Sequence, residues 1–163
     1  LYMEEIRKHN LGLKREDNEE YYKLVNIFNT TGRKITFINE RILKIKTPKI
    51  FLFCHQYKIK VYSKYLLKLQ KLVDDWGEHY NNFVQKPSLT FSGTEERFIG
   101  FLHYMRLLEQ MDIKLNRHYD TTVANFIKVQ EKYDNQINFL IAIISAYVSL
   151  IGLILSLVAL KLI

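Results

Sequence analysis

The chain has 163 residues, 48% hydrophobic and 25% charged, with 24 Lys and Arg against 17 Asp and Glu for a net charge of +7. Six glycines and two prolines exclude collagen-like and low-complexity chains, and the apolar content excludes intrinsic disorder. The single cysteine, Cys54, rules out an internal disulfide framework and points to a reducing compartment, and no Cys/His spacing suits a structural zinc.

In chain order, residues 1–10 and 17–29 read as short helices, separated by Gly12 and ended near Thr31-Gly32. Residues 34–46, KITFINERILKIK, alternate Ile with Lys, and 58–62, KIKVY, alternate likewise, so strand is the local alternative around 34–62, though the longer helical register outweighs it at 58–62. Thr47-Pro48 resembles a helix cap followed by proline in the first turn. From there Ile50, Cys54, Tyr57, Val61, Tyr65, Leu69, Leu72, Trp76, Tyr80 and Phe83 keep a spacing near 3.6. This predicts a long amphipathic helix over 48–86, with Gly77 as a site for a bend. PSLTFSG at 87–93 is a connector, and Ser92 with Glu95 has the spacing of a capping box. Phe98, Phe101, Met105, Leu108, Met111, Leu115, Tyr119, Val123, Phe126, Tyr133 and Ile137 then predict a second long helix. Paired with the first, it makes an antiparallel hairpin.

No proline or glycine interrupts residues 101–151, so the second helix should run unbroken into residues 137–163, INFLIAIISAYVSLIGLILSLVALKLI. Residues 139–160 carry no charge. Twenty-two residues at about 1.5 Å each reach about 33 Å, enough for a hydrocarbon core of about 30 Å. Two regions follow, 1–136 as a helical domain with its stalk and 137–163 as a transmembrane helix. Because the apolar run closes the sequence, it reads as a tail anchor. Only Lys161 among the basic residues lies beyond it, so the positive-inside bias places the domain in the cytoplasm, on a single-pass membrane protein. The expected fold class is therefore mostly α.

Within the apolar run Ala142, Ser145, Ser149, Gly152, Ser156 and Ala159 recur at steps of three and four, on one helix face. Small residues let membrane helices approach closely, so the stripe reads as an association face. Carried upstream it meets Asn138, Asn135 and Glu131, and in a ring of copies it would line a narrow polar pore. Lys58, Lys60, Lys64, Lys68 and Lys71 form a basic stripe, which attraction to anionic headgroups explains and which RNA would also satisfy.

Phosphate-loop, zincin and nucleophile-elbow motifs are absent, and no metal or cofactor site is read. One constellation remains, Arg97-Phe98-Ile99-Gly100-Phe101-Leu102-His103. It resembles the R-x4-6-H motif of HEPN ribonucleases, in which the Arg would stabilise the scissile phosphate and the His would transfer protons. With a membrane span and small size, it looks like the divergent HEPN-like membrane accessory proteins that accompany RNA-targeting CRISPR effectors. That resemblance implies an oligomeric pore serving antiviral defence, and RNA or an RNA-guided effector complex as a partner. The stripe from Glu131 to Ala159 is also similar to the stalk-to-pore geometry of CorA-type channels. Three functions stay open: a homo-oligomeric pore, a membrane-tethered and metal-independent ribonuclease built on Arg97 and His103, and an adaptor that recruits protein or RNA to the bilayer.

Overall fold

The computed structural model describes residues 15–45, 52–86 and 95–161. The expected helix at 1–10, the Thr47-Pro48 cap and the 87–93 connector lie outside them. The described residues form three helices, α1 (Arg15–Leu43), α2 (Leu52–Val84) and α3 (Glu95–Lys161). They contain no strand.

All three pairs of helices pack on one another. Lys86 follows α2 and meets Asp17 and Glu20 at the start of α1, while Phe28 sits against Trp76. α1 and α2 are thus antiparallel. Tyr21 packs edge-on against Tyr104, and Asn125 Nδ2 donates to Asn39 Oδ1 across 3.0 Å, so α1 and α3 run parallel. The result is an up-down-up bundle containing the expected α2–α3 hairpin.

A 3.5-residue repeat on each helix builds the core, as in bundles packed knobs-into-holes. On α1 it runs Asp17, Tyr21, Leu24, Phe28, Thr31, Ile35, Ile38, Ile42; on α2 it runs Ile59, Tyr62, Leu66, Leu69, Val73, Trp76, Tyr80, Phe83. On α3 Phe101, Met105, Leu108, Leu115, Tyr119, Thr122, Phe126, Val129 and Tyr133 face the same core.

Two expectations are corrected by this register. The first helix does not end at Thr31-Gly32, nor does 34–46 open a strand, because Ile35, Ile38 and Ile42 continue the buried spacing for eleven more residues. Tertiary burial outweighs local β-propensity there. The Thr30 and Thr36 hydroxyls donate to the carbonyls of Asn26 and Gly32, one turn earlier in the same helix, so their polar groups are satisfied without leaving the helical backbone. The alternation at 58–62 is likewise helical. On α2 the predicted stripe is right from Leu69 to Phe83, but nearer its start the core uses Ile59, Tyr62 and Leu66, which leaves Tyr57 72% and Tyr65 45% exposed. α2 continues through Gly77 as one helix.

At the end where α2 finishes, Lys86 Nζ donates to Asp17 Oδ1 and Glu20 Oε2, both at 2.9 Å. These bonds hold the Lys86 ammonium above its ordinary pKa. Close by in the core, burial first, and Tyr104 and Tyr22 second, push the Tyr21 phenol from 10.0 to about 12. A phenol that ionises near 10 in the unfolded chain but near 12 in the fold stabilises the fold fully below pH 10. That contribution, of the order of 2 kcal/mol, is lost as pH rises from about 10 to about 12. Tyr21→Phe is therefore expected to lose less stability than the parent between pH 9 and pH 11.5, measured by thermal melts followed through helical ellipticity.

Candidate functional site: the outer face of α3

α3 has 67 residues, about 100 Å at the ordinary helical rise. Its first part belongs to the bundle. From about Asn138 every described side chain is exposed to the end of the helix, including fifteen large apolar residues such as Phe139, Ile144, Leu150, Leu153 and Leu157. Among the described residues one helix is long and apolar enough to cross a membrane, and its most apolar window is not buried at all. An exposed face of this extent is far beyond what a soluble monomer leaves in water.

The small-residue stripe lies opposite the core. Counting back from Ala142 at steps of three or four, through Asn138, Asn135 and Glu131, reaches Ile127, Ala124, Asp120, Arg117, Ile113, Glu109, Arg106 and Leu102, each exposed. The same helix carries Leu108, Leu115, Thr122 and Phe126 on its buried side. One uncovered face thus extends from Leu102 to Ala159. In the water-facing half it still presents Leu102, Ile113 and Ile127, 50%, 52% and 47% exposed. Sequence reasoning followed this face only to Glu131, because in the amphipathic part it carries too few apolar residues to stand out from an ordinary solvated helix.

Within the apolar run Ser149 Oγ donates to the Ser145 carbonyl at 2.8 Å, and Ser156 Oγ to the Gly152 carbonyl at 2.9 Å. Each hydroxyl proton is satisfied by its own helix, which removes most of the cost of a hydroxyl in hydrocarbon. The oxygens keep spare acceptor capacity. At Gly152 an added Cβ would meet nothing within 4 Å, so its smallness serves nothing inside one chain.

The Arg97/His103 pair falls on α3. The Arg97 side chain lies outside the described set, and His103 is exposed, its ring edge-on to Tyr104 at 5.9 Å. Lys58, Lys60, Lys64, Lys68 and Lys71 are all exposed on α2, but they stand at different heights. Lys58 shares a groove with Ile45, and Ile45 shares a hollow with Lys128, Lys132 and Asn135. Lys58 is therefore near the end from which the apolar run leaves. Lys68 shares a groove with Arg33, and Arg33 shares another with Lys114 and His118. That is some twenty residues before Phe139, or about 30 Å up the bundle axis.

Comparison with protein-family models, with curated proteins and with solved structures finds no match to this chain.

Proposed function

We propose that the chain is a single-pass membrane protein, its bundle in the cytoplasm, which homo-oligomerises along the outer face of α3 and permeabilises the membrane. The carrying observation is that the face of α3 left uncovered along the bundle continues in register into the small-residue stripe of the apolar run, where every described side chain is exposed. Insertion gives all copies the same orientation and height, so equivalent residues meet at equal levels. Each Arg then lies within a turn of an acid, Arg106 by Glu109 and Arg117 by Asp120, and the face is close to neutral on a chain of +7. Such a face carries little net charge to repel its own copies.

In the bilayer the closeness of approach rests on Gly152, Ala142 and Ala159 rather than on hydroxyl donors, which are spent locally. In a ring, Asn135, Asn138 and the serine oxygens turn toward the axis and offer ions and water a polar path. A role in antiviral defence alongside an RNA-guided effector belongs to the same proposal and rests on the resemblance carried by Arg97 and His103 together with small size and one membrane span.

Light scattering of the detergent-solubilised particle, corrected for bound detergent, tests the assembly, and ion flux from liposomes tests the output. Five or more copies per particle, with measurable flux, is the expected result. A monomer or dimer would sink the pore. Ser149→Leu with Gly152→Leu should abolish assembly or flux, because two branched side chains hold the helices apart. Ile113→Lys with Ile127→Lys should weaken assembly tenfold or more without lowering the melting temperature, since burying each apolar residue contributes about 1.5–3 kcal/mol at an interface and nothing in the free chain. Gel filtration against protein concentration reads that shift.

A further inference from the structure

The seam between α1 and α2 opens, at the end from which the apolar run leaves, into a groove of about 760 Å³. Among the described residues its walls carry Arg41, Lys44 and Lys58 and no carboxylate. The floor is apolar and aromatic, and the Arg41 guanidinium lies 4.8 Å over the Phe37 ring, which holds its charge against the groove wall. We propose that this groove binds the headgroup phosphate of an anionic phospholipid from the bilayer that holds α3.

Height is the first support. Ile45, at the lower mouth, stands beside Lys128, Lys132 and Asn135, and Lys132 precedes Phe139 by seven residues, about 11 Å along the axis. The polar layer of one leaflet is about 5–7 Å deep, and a four-carbon lysine stem spans the remainder. Lys44 and Lys58 therefore reach phosphate depth, while Lys68, about 30 Å up the axis, lies well beyond the Debye length of about 8 Å at physiological salt. The exposed surroundings are the second support. Tyr57 is 72% and Leu43 61% exposed at this same end, where an amphipathic ring and an aliphatic side chain suit the interface between headgroup and acyl chain. Charge is the third, because the cytoplasmic leaflet is the anionic one.

The inference rests on membrane insertion, and its third support on the cytoplasmic orientation proposed above, but not on oligomerisation. Its test places the full chain in vesicles of phosphatidylcholine with one fifth phosphatidylglycerol and measures, by spin-labelled lipids, the preference of each lipid for the protein. Flotation of the same vesicles reports insertion separately. The parent should prefer the anionic lipid at least fivefold. The triple variant Arg41→Gln, Lys44→Gln, Lys58→Gln should lose that preference, while Lys64→Gln, Lys68→Gln, Lys71→Gln, with the same change of charge, should keep it. Equal loss in both triples would show a diffuse field and overturn the site. No preference in a parent that floats would overturn it too, and a parent that fails to float would overturn both this site and the membrane reading.

Discussion

Trp76→Ala is expected to lower the stability of the bundle by about 3–5 kcal/mol, the range for deleting a fully buried aromatic side chain. Trp76 is wholly buried where the three helices converge. Its ring stacks on Tyr80 at 6.3 Å and tilts against Phe28 of α1 at 5.7 Å, while its indole Nε1–H donates to Asp112 Oδ1 on α3 at 3.1 Å. Removing it leaves a void shared by three helices and takes away the donor that a partly buried carboxylate accepts. Trp76→Phe separates the two contributions, since it restores most of the volume but not the donor. Chemical denaturation in detergent should place it between the parent and Trp76→Ala. If Trp76→Ala cost less than 1 kcal/mol, the three-helix core would not be the stable unit.

The other large effect is expected at the opposite end. Leu150→Arg puts a cation midway along the uncharged run of 139–160. A central Arg costs about 2.5–3.5 kcal/mol on insertion scales, and a Leu contributes about −0.5 kcal/mol. The change approaches 4 kcal/mol for the proposed span. The expected outcome is that the parent resists carbonate extraction and floats with vesicles, whereas most of the variant remains soluble or aggregates. Leu150 is 55% exposed and no part of the bundle core, so the bundle should melt as before. Retention of both variant and parent in the soluble fraction would mean that this segment is covered by protein instead of lipid.

The sequence was most legible where one physical demand dominated. The apolar run announces α3 because lipid tolerates no charge, and the 3.5 repeat from Phe101 to Tyr133 is dense enough to be read directly. Around Thr31-Gly32 two weak helix formers stood together and looked like a terminus. What carries α1 through them is the burial of Ile35, Ile38 and Ile42 against partners far away in sequence, which no local window contains. The start of α2 is ambiguous in the sequence for a related reason. Tyr57, Val61 and Tyr65 match helical spacing as well as Ile59, Tyr62 and Leu66 do, and only packing against α1 chooses between the two registers. Along the outer face of α3, the small-residue stripe was visible inside the apolar run. Its extension to Leu102 was not, since sparse Ile, Leu and Arg on a wet helix do not differ from a solvated surface until the opposite face is known to be buried. The cationic groove depends on Arg41, Lys44 and Lys58 from two helices, a juxtaposition that only the bundle creates.

The unbroken passage of α3 from bundle to apolar run makes the chain a shaft with a fixed phase angle. Each residue of an α-helix turns the axis by about 100°, so the face presented at Ser149 is locked to the face buried at Leu115 by the number of residues between them. One residue added near Gln136 would swing the small-residue face about 100° away from the outer face of the bundle, whereas seven would return it to within about 20°. Length changes in this stretch therefore act as rotations, and the chain tolerates them by residue count rather than by composition.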